Sequence, residues 1–267
     1  MRQGEASMTA RHVAAYRQSF PRVERPYGDP DADQRLQADV AGDIQPPATP
    51  MARYLRARTA FFDRTVVDAI DGGTAQLVVV GAGYDGRSLR YAKPEVRWFE
   101  LDHPDTQADK RARLDELGID ATHVGFAPAD FTADDPAAAL RRAGHDPSQP
   151  SLYLCEGVAG YLTNGVVAGL LASLRGGAAV GSSFAMTVSL EPRPDDEATT
   201  RTLLDAAVSR MGEPLASSLP RAEVRPFFQA SGWTVVRATD PAGVEIGESG
   251  RNSAFVIASA GASPGAG

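Results

Sequence analysis

The chain has 267 residues, 43% of them hydrophobic and 23% charged, with a formal net charge of −7 and a pI of about 5.2. This is the composition of a globular protein long enough to bury a full core, and it lacks the basic excess typical of nucleic-acid-binding proteins. Cys155 is the single cysteine and the four histidines are scattered, which excludes internal disulfides, CxxC sites and the common zinc motifs.

The N-terminal region contains two candidate helices separated by an irregular stretch. Met8 to Gln18 has a weak helical pattern, whereas several prolines and glycines predict irregular structure over residues 21–50. Thr49 can cap a second helix that begins at Pro50, because threonine at the cap and proline at the first helical position both favour a helix start. Apolar residues at helical spacing continue this helix until Gly72-Gly73 ends it.

The remainder of the chain alternates short apolar runs with helical patterns. Strands are predicted at 76–81, 96–101, 123–128, 151–155, 178–185, 233–238 and 252–258. Helices are predicted at 105–118, 134–144, 163–175, 197–211 and 221–231. This alternation predicts an α/β, Rossmann-like fold with a seven-stranded, mostly parallel sheet and helices on both faces. We expect one domain over residues 49–258 with an insertion near 186–226, an N-terminal helical cap over 1–48 and a flexible tail over 259–267.

The residues that follow the first two strands indicate a nucleoside-type cofactor, because ligands of such sheets bind beyond the carboxyl ends of the strands. Gly81-Ala82-Gly83 follows the first strand, where glycines let backbone N–H groups approach a ligand. Asp102 ends the second strand, about twenty residues on, at the usual position of a carboxylate that binds ribose hydroxyls. Glu100 shares its side of the strand and either assists Asp102 or bonds the glycine loop. Gly86 completes a G-x-G-x-x-G pattern, which does not distinguish between cofactors.

The third and fourth strands are also followed by acids. Asp130 can accept a hydrogen bond from an adenine amino group, and Phe131 can pack on the ring, although a turn role for Asp130 is equally consistent. Glu156 follows the central strand, where a buried carboxylate needs a cationic partner. A sulfonium and an amino group would supply that partner, whereas a phosphate-bearing cofactor would be repelled. We interpret Cys155 as a small core residue.

With these residues, the chain resembles the leucine carboxyl methyltransferase-like family of class I S-adenosylmethionine-dependent methyltransferases, whose bacterial branch includes small-molecule O-methyltransferases. The resemblance covers about residues 50–175 and is carried by RARTAFFD (56–63), VVVGAGYDGRSLR (78–90), WFELDHPDTQADKRARL (98–114), PADF (128–131) and CEGVAGYLT (155–163). Two positions depart from the family pattern. Gly86 stands where the loop usually has threonine, and Phe131 stands where leucine usually follows the aspartate. The segment 186–226 has no match.

The resemblance implies a role for each candidate residue, with S-adenosyl-L-methionine as cofactor and S-adenosyl-L-homocysteine as product. Asp102 would hold the ribose hydroxyls, and Glu156 would lie near the methionine amino group. Tyr161 would face the methyl acceptor and is the catalytic candidate. The remaining cofactor-binding residues would be Arg58 for the methionine carboxylate, Gly81, Ala82 and Gly83 for the methionine and ribose, and Asp130 and Phe131 for the adenine.

The expected function is O-methylation of a small-molecule carboxylate or acidic hydroxyl in specialised metabolism. A carboxylate is already ionised at pH 7, whereas a hydroxyl with a pKa near 10 would benefit from a base, for which Tyr161, His12 and Tyr16 are candidates. Arginines that could bind an anionic acceptor are Arg17, Arg22, Arg25, Arg193 and Arg201. No metal, nucleic acid or membrane partner is expected, and the absence of a long apolar run or signal peptide predicts a cytoplasmic protein.

Two other functions are compatible with part of this pattern. An NAD(P)-dependent oxidoreductase would suit Gly81, Gly83 and Gly86, but Glu156 argues against it, as does the absence of any tyrosine with a lysine four residues on. A catalytically inactive methyltransferase-fold partner protein is the second alternative, for which the departure at Gly86 is the one indication.

Overall fold

The computed structural model describes residues 8–45, 50–192, 216–249 and 251–261, which form one seven-stranded sheet with helices on both faces. The strands are β1 (Gln76–Val80), β2 (Arg97–Asp102), β3 (Val124–Pro128), β4 (Ser151–Cys155), β5 (Ser183–Ser189), β6 (Thr234–Thr239) and β7 (Ser253–Ser259). The helices are α1 (Met8–Gln18), α2 (Pro30–Ala41), α3 (Pro50–Asp71), α4 (Arg87–Arg90), α5 (Pro104–Glu116), α6 (Pro136–Arg142), α7 (Asn164–Gly176) and α8 (Val224–Ala230). Short 3₁₀ turns lie at Ala159–Tyr161 and Arg221–Glu223.

The sheet has the strand order β3-β2-β1-β4-β5-β7-β6. The first five strands run parallel, and β7 is antiparallel to both β5 and β6. The order reverses between β1 and β4, so the carboxyl ends of these two strands form the switch point where ligands bind in sheets of this kind. The predicted α/β fold with a mostly parallel seven-stranded sheet is confirmed.

Alternating residues of the strands pack against two separate helical layers, as the period of a strand requires. Val78 and Val80 of β1 lie in a core cluster that includes residues of α6, α7 and α8. Leu77 and Val79 face the opposite side and pack against Phe62 and its neighbours on α3. Burying both faces explains why these strands read as continuous apolar runs instead of alternating ones.

Several helices begin where the sequence predicts, because a polar side chain accepts from a free backbone N–H of the first turn. Asp135 accepts from the Ala137 N–H at 3.1 Å and starts α6. Thr163 accepts from the Val166 N–H at 3.4 Å and starts α7. The expected cap at Thr49 lies outside the described residues.

Helix α2 corrects the expectation of an irregular arm. Asp29 caps it by accepting from the Ala32 N–H at 2.9 Å, and Pro30 occupies the first helical position. Leu36 and Val40, one turn apart, are buried against neighbouring elements. The sequence did contain two helix signals, an Asp-Pro pair at the start and apolar residues at i and i+4. The neighbouring prolines and glycines obscured these signals.

The fifth strand begins later than predicted. Residues 178–180 are apolar, but Val180 is 62% exposed and Gly181 turns the chain with φ of 90°. Pairing with β4 starts only at Ser183, which pairs with Leu152. The predicted helix at 197–211 lies outside the described residues. Among the described helices, none combines the length and apolarity needed to cross a membrane.

Candidate active site

The loop between β1 and α4 carries two glycines in a conformation that other residues rarely adopt, with φ of 65° at Gly81 and 49° at Gly83. A Cβ at Gly81 would overlap a methyl group of Val158, so this glycine permits close packing. A Cβ at Gly83 would meet no atom within 4 Å, so the loop presents bare backbone to open space there. The loop therefore combines a tight turn with an accessible peptide surface at the switch point.

Asp102 is bonded directly to this loop. The register pairs Val80 with Leu101, which places the end of β2 beside the start of the loop. One carboxylate oxygen of Asp102 accepts the Gly83 N–H, and the other accepts the His103 N–H at 2.6 Å. Burial raises the pKa of Asp102, although the two N–H donors act in the opposite direction. The structure thus brings the predicted loop and the predicted acid together.

Glu100 supports the loop through a lysine. Its carboxylate accepts from Lys110 Nζ and Ser88 Oγ, both at 2.6 Å. Lys110 is fully buried and also donates to the Asp85 carbonyl at 2.6 Å, which ties α5 to the loop. Of the two roles open for Glu100, the structure favours support of the glycine loop.

Asp130 takes part in a turn after β3. Its carboxylate accepts the Thr132 N–H at 2.8 Å and the Thr132 hydroxyl at 2.7 Å, and these bonds lower its pKa. Its own N–H donates to Asp134 at 2.8 Å. Phe131 is half-buried and packs against the main core cluster. The turn role of Asp130 is therefore present, and adenine binding by these two residues stays a prediction.

The side chain of Glu156 is 3% exposed, and its partners are arginines of the same chain. Oε1 lies 2.9 Å from Arg58 Nε and 3.0 Å from Arg17 Nη2, and Oε2 accepts from Arg87 Nη1 at 2.6 Å. Burial alone would raise the pKa of Glu156, but the three guanidinium charges outweigh it and hold the pKa well below its ordinary value. The cationic partner that the sequence analysis requires for Glu156 is thus supplied by arginines of this chain, and contact with the methionine amino group stays a prediction. Arg17 comes from α1, so the N-terminal region contributes to the site.

These contacts belong to a larger buried arrangement that we call the arginine cluster. Arg22 bonds Asp63 through Nε at 2.6 Å, and Arg87 bonds the same carboxylate at 2.8 Å. Its members are Arg17, Arg22, Arg58, Arg87 and Arg90 with Asp33, Asp63, Asp85 and Glu156. Five cations face four anions, so the cluster has a formal charge of +1. Within the described part of the chain, the buried Nε of Arg17 has no hydrogen-bond partner.

The catalytic and acceptor-binding candidates lie in different surroundings. Tyr161 is half-buried in the 3₁₀ turn after β4. Tyr16 is buried and stacks on Phe20, with ring centroids 6.0 Å apart. His12 lies half-buried on α1. Arg17 and Arg22 belong to the arginine cluster, whereas Arg25 forms a surface pair with Asp71 at 3.1 Å. Arg193 and Arg201 lie outside the described residues.

Comparison with known proteins shows the family to which this chain belongs. The family model described as leucine carboxyl methyltransferase matches residues 14–175, more than half of the chain. The chain belongs to the leucine carboxyl methyltransferase family. The match includes the glycine loop, Asp102 and Glu156, and it also includes the C-terminal end of α1 with Arg17.

Relatives in this family agree with the assignment. A protein of Mycolicibacterium gilvum, named a putative S-adenosyl-L-methionine-dependent methyltransferase, is 30% identical over 256 residues, covering 85% of this chain and 82% of the relative. A relative of Mycobacteroides abscessus with the same name is 30% identical over 247 residues, covering 86% of this chain and 82% of that protein. The protein is an S-adenosylmethionine-dependent methyltransferase, which confirms the predicted cofactor over the nicotinamide alternative.

Solved structures show the same fold. The crystal structure of a putative methyltransferase from Thermobifida fusca matches with a TM-score of 0.61 at 18% identity, over 97% of this chain and 96% of that one. At this level of identity the likeness establishes the class I methyltransferase fold alone.

Proposed function

We propose that this methyltransferase transfers the methyl group of S-adenosylmethionine to an oxygen atom of a small acceptor, a carboxylate or an acidic hydroxyl. The observation that carries the proposal is the placement of Arg58 and Glu156 beside the glycine loop, in a family described by methyl transfer to a carboxyl group. Specialised metabolism is the setting we propose, because the bacterial branch that the sequence resembles includes small-molecule O-methyltransferases.

The methionine end of the cofactor is the part that the arginine cluster can recognise. It carries one ammonium and one carboxylate, so it can insert between Glu156 and the two guanidinium groups on its Oε1, those of Arg17 and Arg58. The ammonium would take the place of a guanidinium on Glu156, and the carboxylate would accept from Arg58 and from the unpartnered Nε of Arg17. Each buried charge keeps an opposite partner, which avoids the large cost of an unpaired buried ion.

The adenosine part would extend along the ends of β1, β2 and β3. Asp102 already accepts two backbone N–H groups, which leaves acceptor capacity on its carboxylate for the ribose hydroxyls. Gly81, Ala82 and Gly83 would lie beneath the ribose and methionine, where bare backbone allows close approach. Asp130 and Phe131 would flank the adenine at the start of the turn after β3.

The bound cofactor would supply an electrophilic methyl group, whose transfer would form a bond to the anionic acceptor oxygen and break the bond to the sulfonium sulfur, leaving a neutral thioether. The enzyme contributes mainly by aligning the oxygen with the breaking bond, which can supply about 7–11 kcal/mol of the barrier. Attractive charge from guanidinium groups near the methionine end would also raise the local concentration of an anionic acceptor.

A first experiment tests the proposed methionine end. The Glu156→Gln variant is compared with the wild type in calorimetric titrations with S-adenosylhomocysteine and with 5′-methylthioadenosine, which lacks the amino-acid group. We expect the variant to lose at least tenfold in affinity for the first ligand and to bind the second nearly unchanged. Asp71→Asn, at the surface pair with Arg25, is the matched control. Equal loss for both ligands would contradict this placement of the methionine.

A second experiment identifies the acceptor class and the role of Tyr161. The wild type and Tyr161→Phe are assayed for S-adenosylhomocysteine formation with panels of carboxylates and of phenols across pH 5–10. A carboxylate acceptor predicts a nearly flat profile in both proteins. A phenol with Tyr161 as base predicts a rising profile and a loss of about 10²–10⁴-fold in the variant. Cofactor binding without turnover of either panel would favour the inactive partner protein.

A further inference from the structure

Gly86 lies beside a buried carboxylate from a distant helix. Its backbone has φ of −104° and ψ of 13°, a conformation open to ordinary residues, so the turn itself does not demand glycine. A Cβ at this position would overlap Asp33 Oδ1 and lie 2.7 Å from Asp33 Cγ and 3.1 Å from Asp33 Cβ. The missing side chain is therefore matched by the side chain of Asp33, which stands on α2.

Asp33 cannot easily move away from this position. Its side chain is 1% exposed, and Oδ2 accepts from Arg90 Nε at 2.5 Å and from Arg22 Nη1 at 3.1 Å. Oδ1 accepts from Gln37 Nε2 at 3.3 Å, one helical turn further along α2. An aspartate held by three donors has little freedom to yield to a new methyl group.

Helix α2 and its N-cap residue contact the loop and α4 at two further points. Gln37 Nε2 donates to the Tyr84 carbonyl at 2.7 Å, and the Asp29 N–H donates to the Leu89 carbonyl at 2.9 Å. Contacts at residues 84, 86 and 89 thus hold the second half of the loop and the start of α4 against α2. Gly83, whose N–H is bonded to Asp102, directly precedes the first of them.

We infer that Asp33 is a positioning residue of the cofactor site. It fills the space that a side chain at position 86 would occupy and holds the glycine loop from α2, so that Gly83 and Asp102 present the correct geometry to the ribose. This inference rests on the proposal that the loop and Asp102 bind the cofactor, and it adds the N-terminal helix α2 to the residues that determine cofactor affinity.

A double-mutant cycle on positions 33 and 86 tests the inference, because residues in contact show non-additive effects. Gly86→Ala should weaken S-adenosylhomocysteine binding at least tenfold, measured by calorimetry on folded protein. Asp33→Ala should weaken it as well, because α2 loses its hold on the loop. In Gly86→Ala combined with Asp33→Ala, the space is open, and the affinity should lie within threefold of Asp33→Ala alone. Gly169→Ala on α7, where a Cβ meets no atom within 4 Å, is the control and should bind as the wild type does.

The outcomes separate this inference from the proposed site. Additive losses at positions 33 and 86, or wild-type affinity in Gly86→Ala, would overturn the positioning role, as would a lower unfolding midpoint with unchanged ligand affinity. If Gly86→Ala alone does not fold, recovery of folded, ligand-binding protein in the double variant still supports the inference, and failure to recover it contradicts the inference.

Asp102→Ala is the reference for the site itself. Unchanged affinity there would reject the cofactor placement, whereas a loss there without coupling between 33 and 86 would reject the positioning role alone.

Discussion

Replacing Asp102 by alanine is expected to weaken S-adenosylhomocysteine binding by tenfold to more than a hundredfold. An ionised carboxylate offers about four acceptor positions, and the N–H groups of Gly83 and His103 use two of them. Two positions remain for the ribose hydroxyls, and each hydrogen bond to a charged group contributes about 1.5–3 kcal/mol. At the lower of these values, loss of one bond corresponds to about tenfold in affinity, and loss of both to more than a hundredfold.

The measurement is a pair of calorimetric titrations, with S-adenosylhomocysteine and with 5′-methylthioadenosine. Both ligands carry the same ribose, so Asp102→Ala should weaken both by the same factor, unlike Glu156→Gln. Asp102→Asn should be at least as damaging as truncation, because the amide nitrogen would face a backbone N–H as donor against donor. Circular dichroism and urea unfolding establish that each variant is folded. Affinities within twofold of the wild type for both ligands would show that Asp102 is not the ribose acid.

Three further predictions concern stability and reactivity. Arginines outweigh burial and lower the pKa values of Asp63, Asp85 and Glu156. These ion pairs therefore stabilise the fold fully above the unfolded-state pKa values of about 4, and that stabilisation is lost as the pH falls through the folded-state pKa values. Urea unfolding midpoints that do not fall between pH 7 and pH 3 would contradict this. Lys110→Met leaves the buried carboxylate of Glu100 without its cation and should lower the free energy of unfolding by about 3–5 kcal/mol in urea titrations. A loss below about 1 kcal/mol would show that this ion pair contributes little to stability. Burial raises the pKa of the Cys155 thiol to about 12. A disulfide reagent should therefore label this thiol only in the unfolded protein. Rapid labelling of the folded protein would show that the thiol is accessible at the surface.

The sheet and the glycine loop were predictable from the sequence because their signals are local. A strand buried on both faces reads as a run such as Leu77 to Val80, and the loop glycines follow it directly. The bond between Asp102 and Gly83 joins residues from the ends of neighbouring strands, so the topology implied their proximity. Local patterns of this kind survive in a single sequence because each depends on a few adjacent positions.

The arginine cluster was not predictable in the same way. Arg22 and Asp63 are 41 residues apart, and Arg58 and Glu156 are 98 apart, so no spacing along the chain reveals the pairs. Sequence reasoning recognised that Glu156 needed a cation but assigned that role to the ligand. Each arginine taken alone is indistinguishable from a solvated surface residue, and only the folded arrangement shows which ones are buried.

Asp33 and Arg22, which hold the N-terminal segment to the body of the protein, affect where the chain can be divided. Composition suggests a domain boundary after residue 48. A shortened chain starting at Pro50 would lack Asp33, the acid that pairs with Arg90, and Arg22, one of the two arginines that pair with Asp63. We therefore expect the segment and the sheet to melt together in a single transition. Proteases that remove the segment should yield an unstable remnant.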